Sequence, residues 1–189
     1  MNDTIADNIW ITAKTRMFTE ARYRSYNLLA NVWITTCSLL LIFFSLFTDE
    51  ISAVIHHADR LNIALSIAVL ALSLVLSGFR FLETAAQHRE CYIKLQALYE
   101  TRGCNQNLAK EYNAILDAYP NHDDQDYDNL VIDRAIFRDK PITDPKTKEP
   151  IKPTTYMIVR KSIRTAILLI ASYLLPAMSL IALVKIIWR

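Results

Sequence analysis

Apolar residues fall along this chain in three unbroken runs, and elsewhere they recur at helical spacing. The runs 28–47 and 61–79 carry no charged residue. Each is about 20 residues long, enough for an α-helix to cross a hydrocarbon core of roughly 30 Å. A loop at 48–60 joins them, so they read as a transmembrane hairpin. A third run, 165–184, is equally free of charge and long enough to span. Pro176 lies near its middle, where a missing N–H frees a carbonyl and kinks a helix.

Residues 1–27 contain neither Pro nor Gly. Asp3 and Thr4 are N-cap candidates. Ile5, Ile9, Ala13, Met17 and Ala21 recur every four residues, so the stretch reads as an amphipathic helix running into the first span. Beyond the second span the pattern continues. From Leu61 to Arg102 there is one Gly and no Pro, which predicts a single helix that leaves the membrane as a rigid rod. In its projecting half Ala85, His88, Tyr92, Leu95, Tyr99 and Arg102 recur at three and four, widened by Cys91 and Leu98, and form a packing face. Tyr92, Leu95 and Tyr99 are its candidate interaction residues, toward the same chain or another subunit. Gly103 ends this helix. Another is expected at 105–119, closed by Pro120, then a polar turn at 121–128 and a short helix at 129–138. Pro141, Pro145, Pro150 and Pro153 predict an extended linker.

The expected fold is thus all-α and membrane-integral. Its organisation is an amphipathic cytoplasmic helix (1–27), a transmembrane hairpin (28–82), a cytoplasmic helical region (83–139), a proline-rich linker (140–158) and a C-terminal transmembrane helix (159–189). Charge gives it a direction. Lys14, Arg16, Arg22 and Arg24 precede the hairpin, and Arg80, Arg89, Lys94, Arg102 and Lys110 follow it. The loop 48–60 holds Arg60 against Asp49, Glu50 and Asp59. Cytoplasmic flanks carry the Lys/Arg excess, so both outer flanks are expected inside and the arginines at the headgroups. Arg160, Lys161 and Arg164 before the third run suggest entry from the cytoplasm. A net charge of +2 over 189 residues offers no basic excess for nucleic acid. Three cysteines, one inside an apolar run, argue against a disulfide framework and fit reduced thiols. No cleavable signal peptide is expected, because the first run is too long for an h-region.

Catalytic motifs are few. Two glycines cannot build a Walker A loop or a dinucleotide fingerprint. His88 and Cys91 share a helix face, but two ligands do not make a metal site. Asp123, Asp124, Asp126 and Asp128 resemble a calcium loop. Asn129 stands where such a loop needs Gly, and Ala135 where it needs Glu. A solvated turn is expected instead, with Asp128 as a helix cap. This turn is the one foothold for an enzymatic reading. His56-His57 is a candidate pH sensor in the exterior loop. No cofactor and no catalytic residue is expected.

The spans carry more information. In the second, Asn62, Ser66, Ser73 and Ser77 share one helix face, while Ala64, Ala68, Ala71 and Gly78 lie nearly opposite. Asn31, Thr35, Ser38 and Ser45 repeat the polar theme in the first, and Thr165, Ser172 and Ser179 in the third. Small residues let helices approach closely. The polar stripe either bonds within and between helices as glue or faces a water-filled lumen. The candidate pore-facing residues are Asn62, Ser66, Ser73, Ser77, Asn31, Thr35 and Ser38. The spans contain no Asp, Glu, Lys, Arg or His, which argues against an ion-coupled transporter.

Several stretches resemble the SLATT proteins, the two-transmembrane effectors associated with bacterial nucleotide-second-messenger and related conflict systems. They are Trp10-Ile-Thr-Ala-Lys-Thr-Arg-Met-Phe-Thr-Glu-Ala-Arg-Tyr-Arg, Ser77-Gly-Phe-Arg-Phe-Leu-Glu, Arg89-Glu-Cys-Tyr-Ile-Lys-Leu-Gln-Ala-Leu-Tyr, Glu111-Tyr-Asn-Ala-Ile-Leu and Pro120-Asn-His. The likeness covers residues 5–130, extends more loosely to the C-terminal run, and is greatest to the fifth subfamily, found beside reverse transcriptases. It implies an antiphage effector that oligomerises and permeabilises the bacterial inner membrane when a sensor fires, such as a reverse transcriptase or nucleotide-signal system. It carries over no active site, and the third run departs from a two-span pattern. The alternative is a non-conducting membrane anchor for a cytoplasmic partner.

Overall fold

A computed structural model describes residues 2–53, 57–103, 106–174, 177, 181, 184 and 185. Its helices are α1 (Asn2–Leu46), α2 (Thr48–Ser52), α3 (Ala58–Gly78), α4 (Phe81–Glu100), α5 (Leu108–Asp117), α6 (Asp124–Ile132) and α7 (Thr155–Leu169). Single π-helical turns follow α6 and α7, at Asp133–Phe137 and Ile170–Leu174. Among the described residues there is no strand, only an isolated bridge between Thr143 and Pro150. The chain divides into two compact units, one of Met1–Ser25 and Phe81–Ile163, the other of Tyr26–Arg80 and Arg164–Arg189.

In the first unit the beginning of α1 is the central element. None of the residues from Thr4 to Glu20 is exposed. Ile9 and Ala13 pack with Cys91, Leu95 and Leu98 of α4 and Leu108 of α5. Trp10, Ile11 and Phe18 pack on Leu130, Val131 and Ile142. Residues 9 and 13 point about 180° away from 11 and 18 at 100° per residue, so the helix has two apolar faces and not one. The helix expected to have one apolar face is instead covered on both sides and lies in the core of this unit. Asp3 lies inside its first turn and is not a cap.

The proline-rich segment is also ordered. Ile151 N–H donates to the Ile142 carbonyl at 2.7 Å and Asp144 N–H to that of Glu149 at 2.9 Å. The Asp144 carboxylate accepts from Lys146 N–H at 2.7 Å, closing an Asx turn. Ile142 is buried in the second core cluster, and Lys148 reaches Asp7 at 2.8 Å. Prolines exclude a ladder, but they tolerate a turn whose few N–H groups have partners. The expected extended linker is thus a docked loop.

In the second unit α3 is 21 residues long and apolar. Among the described residues two helical segments are long and apolar enough to cross a membrane, within Asp3–Leu46 and Ala58–Glu100. The connection between the spans includes α2, which packs against α3, and Ile51 of α2 and Ala58 of α3 are both buried. The rod expected from Leu61 to Arg102 is broken. α3 ends at Gly78, Arg80 takes φ 47, and α4 starts at Phe81. Left-handed backbone at a non-glycine residue costs about 1–2 kcal/mol, and no helix continues through it. The expected single rod is therefore two helices, α3 and α4. α7 starts ten residues before the third run and reaches Leu169, and the π turn Ile170–Leu174 follows it. Pro176 and most of the rest of that run lie outside the described residues.

Candidate functional site

Along one side of α1 in the first unit runs a polar stripe, Thr12, Thr15, Arg16, Thr19, Arg22 and Tyr23, at spacings of three and four. Thr15, Arg16 and Thr19 are fully buried. The threonines settle their hydroxyls locally and across the core. Thr15 Oγ1 donates to the Ile11 carbonyl at 2.9 Å, and Thr12 Oγ1 meets the Tyr112 hydroxyl at 2.8 Å. Opposite the stripe stands the start of α6. Asp126 is completely buried, and Arg22 grips it side-on, Nε to Oδ1 at 3.0 Å and Nη2 to Oδ2 at 2.8 Å. Thr19 Oγ1 donates to the same Oδ2 at 2.9 Å, and Arg22 Nη2 also reaches Asp123 at 2.6 Å. A bidentate, charge-assisted pair of this kind is the form in which a buried charge is tolerated. Asp126 also lies in the first turn of α6, where the helix dipole favours a carboxylate.

Two of the expectations for this region change. The acidic stretch is not a solvated turn, since α6 begins at Asp124 and the Asp126 carboxylate is committed to Arg22 and Thr19. Asp128 caps nothing. It sits within α6 and accepts from Arg160 at 3.3 Å. The arginines divide as well. Arg24 is exposed and pairs with Glu20, whereas Arg16 and Arg22 are inside the unit and not at a membrane surface.

Arg16 differs from Arg22. Its Nη1 donates to the Pro120 carbonyl at 2.6 Å, while its Nε and Nη2 are buried without a partner. His88 lies 1% exposed on α4, its ring stacked 5.9 Å from Tyr23 at an interplanar angle of 10°. Its Nδ1 has no partner, and neither has that of His122 in the turn between α5 and α6. Burial, followed by the charge of Arg16, lowers the His88 pKa to about 4. The same causes in the same order lower that of His122. His88 is therefore neutral at pH 7. Burial raises the pKa of Cys91, one turn further along, which makes it a packed thiol and not a nucleophile. Among the described residues no three His, Cys, Asp or Glu side chains stand close enough to share a metal ion.

The interaction stripe on α4 is used within the chain. Leu95 is completely buried, and Tyr92 and Tyr99 pack beside it against α1 and α5. Tyr99 also lies under the Arg102 guanidinium at 4.1 Å. Of the two partners its spacing allowed, the same chain and another subunit, the stripe packs against the same chain.

In the second unit the two faces of α3 are differently placed. Ala58 is buried, and Asn62, Val69, Ser73 and Leu76 are partly covered. Ser66 and Ser77 are exposed at the edge of that face. Ala64, Ala68, Ala71 and Gly78 are all exposed, and a Cβ on Gly78 would meet nothing within 4 Å. On α1, Asn31 and Thr35 are exposed and Ser38 is partly covered. Three serines bond to their own helix, Ser38 to Ile34, Ser66 to Asn62 and Ser73 to Leu70, each at 2.8 Å. The Asn62 Oδ1 is buried without a partner. His57 takes φ 66 at the start of α3, and His56 lies outside the described residues, as does Cys104. Cys37 and Cys91 are free thiols.

Sequence reasoning missed Arg16, Thr19, Arg22, His122 and Asp126 as one constellation. The available signal was the polar stripe at three and four on a helix without Gly or Pro, followed by an acidic stretch just after Pro120. A family model described as "SMODS and SLOG-associating 2TM effector domain family 5" matches residues 2–182. No curated protein matches the chain, and no solved structure does.

Proposed function

The chain belongs to the SMODS and SLOG-associating 2TM effector domain family 5, a family of membrane effectors in conflict systems, and from that premise we propose that it oligomerises and permeabilises the bacterial inner membrane. An associated sensor, a reverse transcriptase or a nucleotide-signal system, triggers this step, and the infected cell dies or stops growing. Both ends of the hairpin lie in the cytoplasm with 48–60 outside, as the Lys/Arg distribution favours. The first unit is then cytoplasmic and receives the signal.

The observation that carries the reading is the exposed small-residue face of α3. Ala64, Ala68, Ala71 and Gly78 are uncovered in the single chain. In lipid, where apolar surface gives no drive for helices to associate, close approach across small residues does. A second copy seated there turns the Asn62/Ser66/Ser73/Ser77 face, with Asn31, Thr35 and Ser38 of α1, toward a lumen. Replacing Ser66, Ser73 and Ser77 by Leu is expected to abolish membrane depolarisation in cells while insertion is retained. Unchanged depolarisation would sink the pore-facing assignment.

The helix-internal bonds of Ser38, Ser66 and Ser73 favour a second reading. Hydroxyls satisfied within their own helix suit an anchor that does not conduct. Dye release from liposomes separates the two, because an anchor leaks nothing under any activating condition. The family is not a known enzyme family, and the Asp126 carboxylate is held by Arg22 and Thr19.

A further inference from the structure

We propose that the first unit docks on anionic lipid headgroups of the bilayer through Ile136 and Phe137, with Lys161 beside them. The argument starts at the π turn after α6. Leu130, Val131 and Ile132 close the buried face of α6, and no residue of the turn that follows is buried. Ile136 and Phe137 are 51% and 72% exposed. Single exposed apolar residues are ordinary. Here two large ones stand side by side, and Lys161 Nζ lies 5.2 Å from the centre of the Phe137 ring.

Lys161 fixes the depth of this turn. It lies on α7, four residues before the uncharged run that begins at Thr165, and α7 continues unbroken to Leu169. Four residues of helix rise about 6 Å, and the headgroup layer of one leaflet is about 5–8 Å thick. Where the run enters hydrocarbon, Lys161 is therefore among the headgroups, and Phe137, from a different element, is held there with it. Apolar and aromatic side chains next to cations are what a protein surface lying in that layer presents.

The charge has the matching sign. Asp133 pairs with Arg138, and Asp128 with Arg160. Along the turn and beside it this leaves Asp139 against Arg134, Lys140 and Lys161. Among the described residues none of these three cations forms an ion pair, and Arg134 lies over the Trp10 ring. Each such cation adds to the attraction of an anionic leaflet. A second copy seated patch to patch would set like charges opposite each other. The proposal rests on the run 165–184 entering lipid, and not on a pore.

The test uses full-length protein in vesicles of phosphatidylcholine with or without phosphatidylglycerol. A benzophenone amino acid replaces Phe137, Ile167 inside the run, or Lys146, and adducts are read by mass spectrometry. Lys146 is exposed in the docked loop, close to the Lys148–Asp7 pair near the start of α1. Lipid adducts are expected at 167 in both vesicles, at 137 chiefly with phosphatidylglycerol, and not at 146. Lys161→Gln should lower the yield at 137 by up to about fivefold, the weight of one cation at such a surface. Adducts at 167 without any at 137 overturn the docking alone. So do equal yields at 137 and 146, equal yields from the two vesicles, or adducts at 137 to a second protein chain. No adduct at 167 overturns the entry of the run, and the docking with it. Should the probe at 137 prevent folding, hydrogen exchange of residues 134–140 in the wild-type protein decides. Phosphatidylglycerol must slow it, and unchanged exchange overturns the docking.

Discussion

The two units solve the same problem, polar groups on long helices, by opposite means. In the first, the polar side chains of α1 are held by residues about a hundred positions away. Thr12 meets Tyr112, Arg16 meets Pro120, and Thr19 and Arg22 meet Asp126. In the second, the serine and threonine hydroxyls bond carbonyls three or four residues back, at Ser38, Thr48, Ser66 and Ser73. Large apolar side chains follow the same division. The core residues of the first unit, such as Ile9 and Leu95, are buried within it. Ile63, Ile67, Leu70 and Leu74 of the second are each more than 60% exposed. The first unit therefore draws its stability from its own tertiary contacts. The second has local helix bonds that satisfy its backbone in lipid, and an apolar surface that only lipid or another copy removes from water.

Perturbations should separate the units in order of size. Asp126→Asn leaves Arg22 and Thr19 facing a neutral group in a buried position. A loss of about 3–5 kcal/mol is expected, read by thermal unfolding in detergent, with membrane insertion unchanged. A comparable loss of insertion would show that the units are not independent. Acidification should act on the first unit as well. His88 has its pKa lowered to about 4 from 6.5, so between those values the unfolded chain binds a proton that the folded one refuses. Its stabilising contribution is complete above pH 6.5 and falls as pH drops toward 4, by on the order of 3 kcal/mol. Unfolding measured against pH should show this slope, and His88→Phe should reduce it, leaving the part that His122 contributes. Lys148→Ala removes an exposed pair with Asp7. It should cost at most about 1 kcal/mol and raise hydrogen exchange at Ile151, whose N–H tethers the docked loop. Smallest of all, Ser73→Ala in the second unit removes only a helix-internal bond, with an expected change in stability under about 0.5 kcal/mol by the same unfolding assay.

The helices were largely legible because period and length are local properties. The spans, the packing stripe of α4 and the helix near 105–119 needed only spacing and the positions of Gly and Pro. The candidate site was less legible. Arg16, Arg22 and Asp126 are charged, and charge along a helix near a membrane is normally solvated. Their burial depends on α6 coming to rest against α1, which no window of neighbouring residues contains. The docked loop was hidden for the same reason. Its prolines exclude regular structure, but the anchor, Ile142 against Leu130 and Val131, is a tertiary contact.

What the sequence by itself determined was an all-helical chain with uncharged runs long enough to cross a membrane, and a likeness to one effector family. Composition and periodicity suffice for that, because a bilayer selects on length and charge alone. Only the tertiary structure decided that α1 begins as a core helix with two apolar faces, and that the helix after the second span breaks at Arg80. It also decided that Arg22 pairs with Asp126 while Arg16 bonds the Pro120 carbonyl. These outcomes depend on which distant groups meet, and a charge is buried or solvated according to its partner and not its neighbours in the chain.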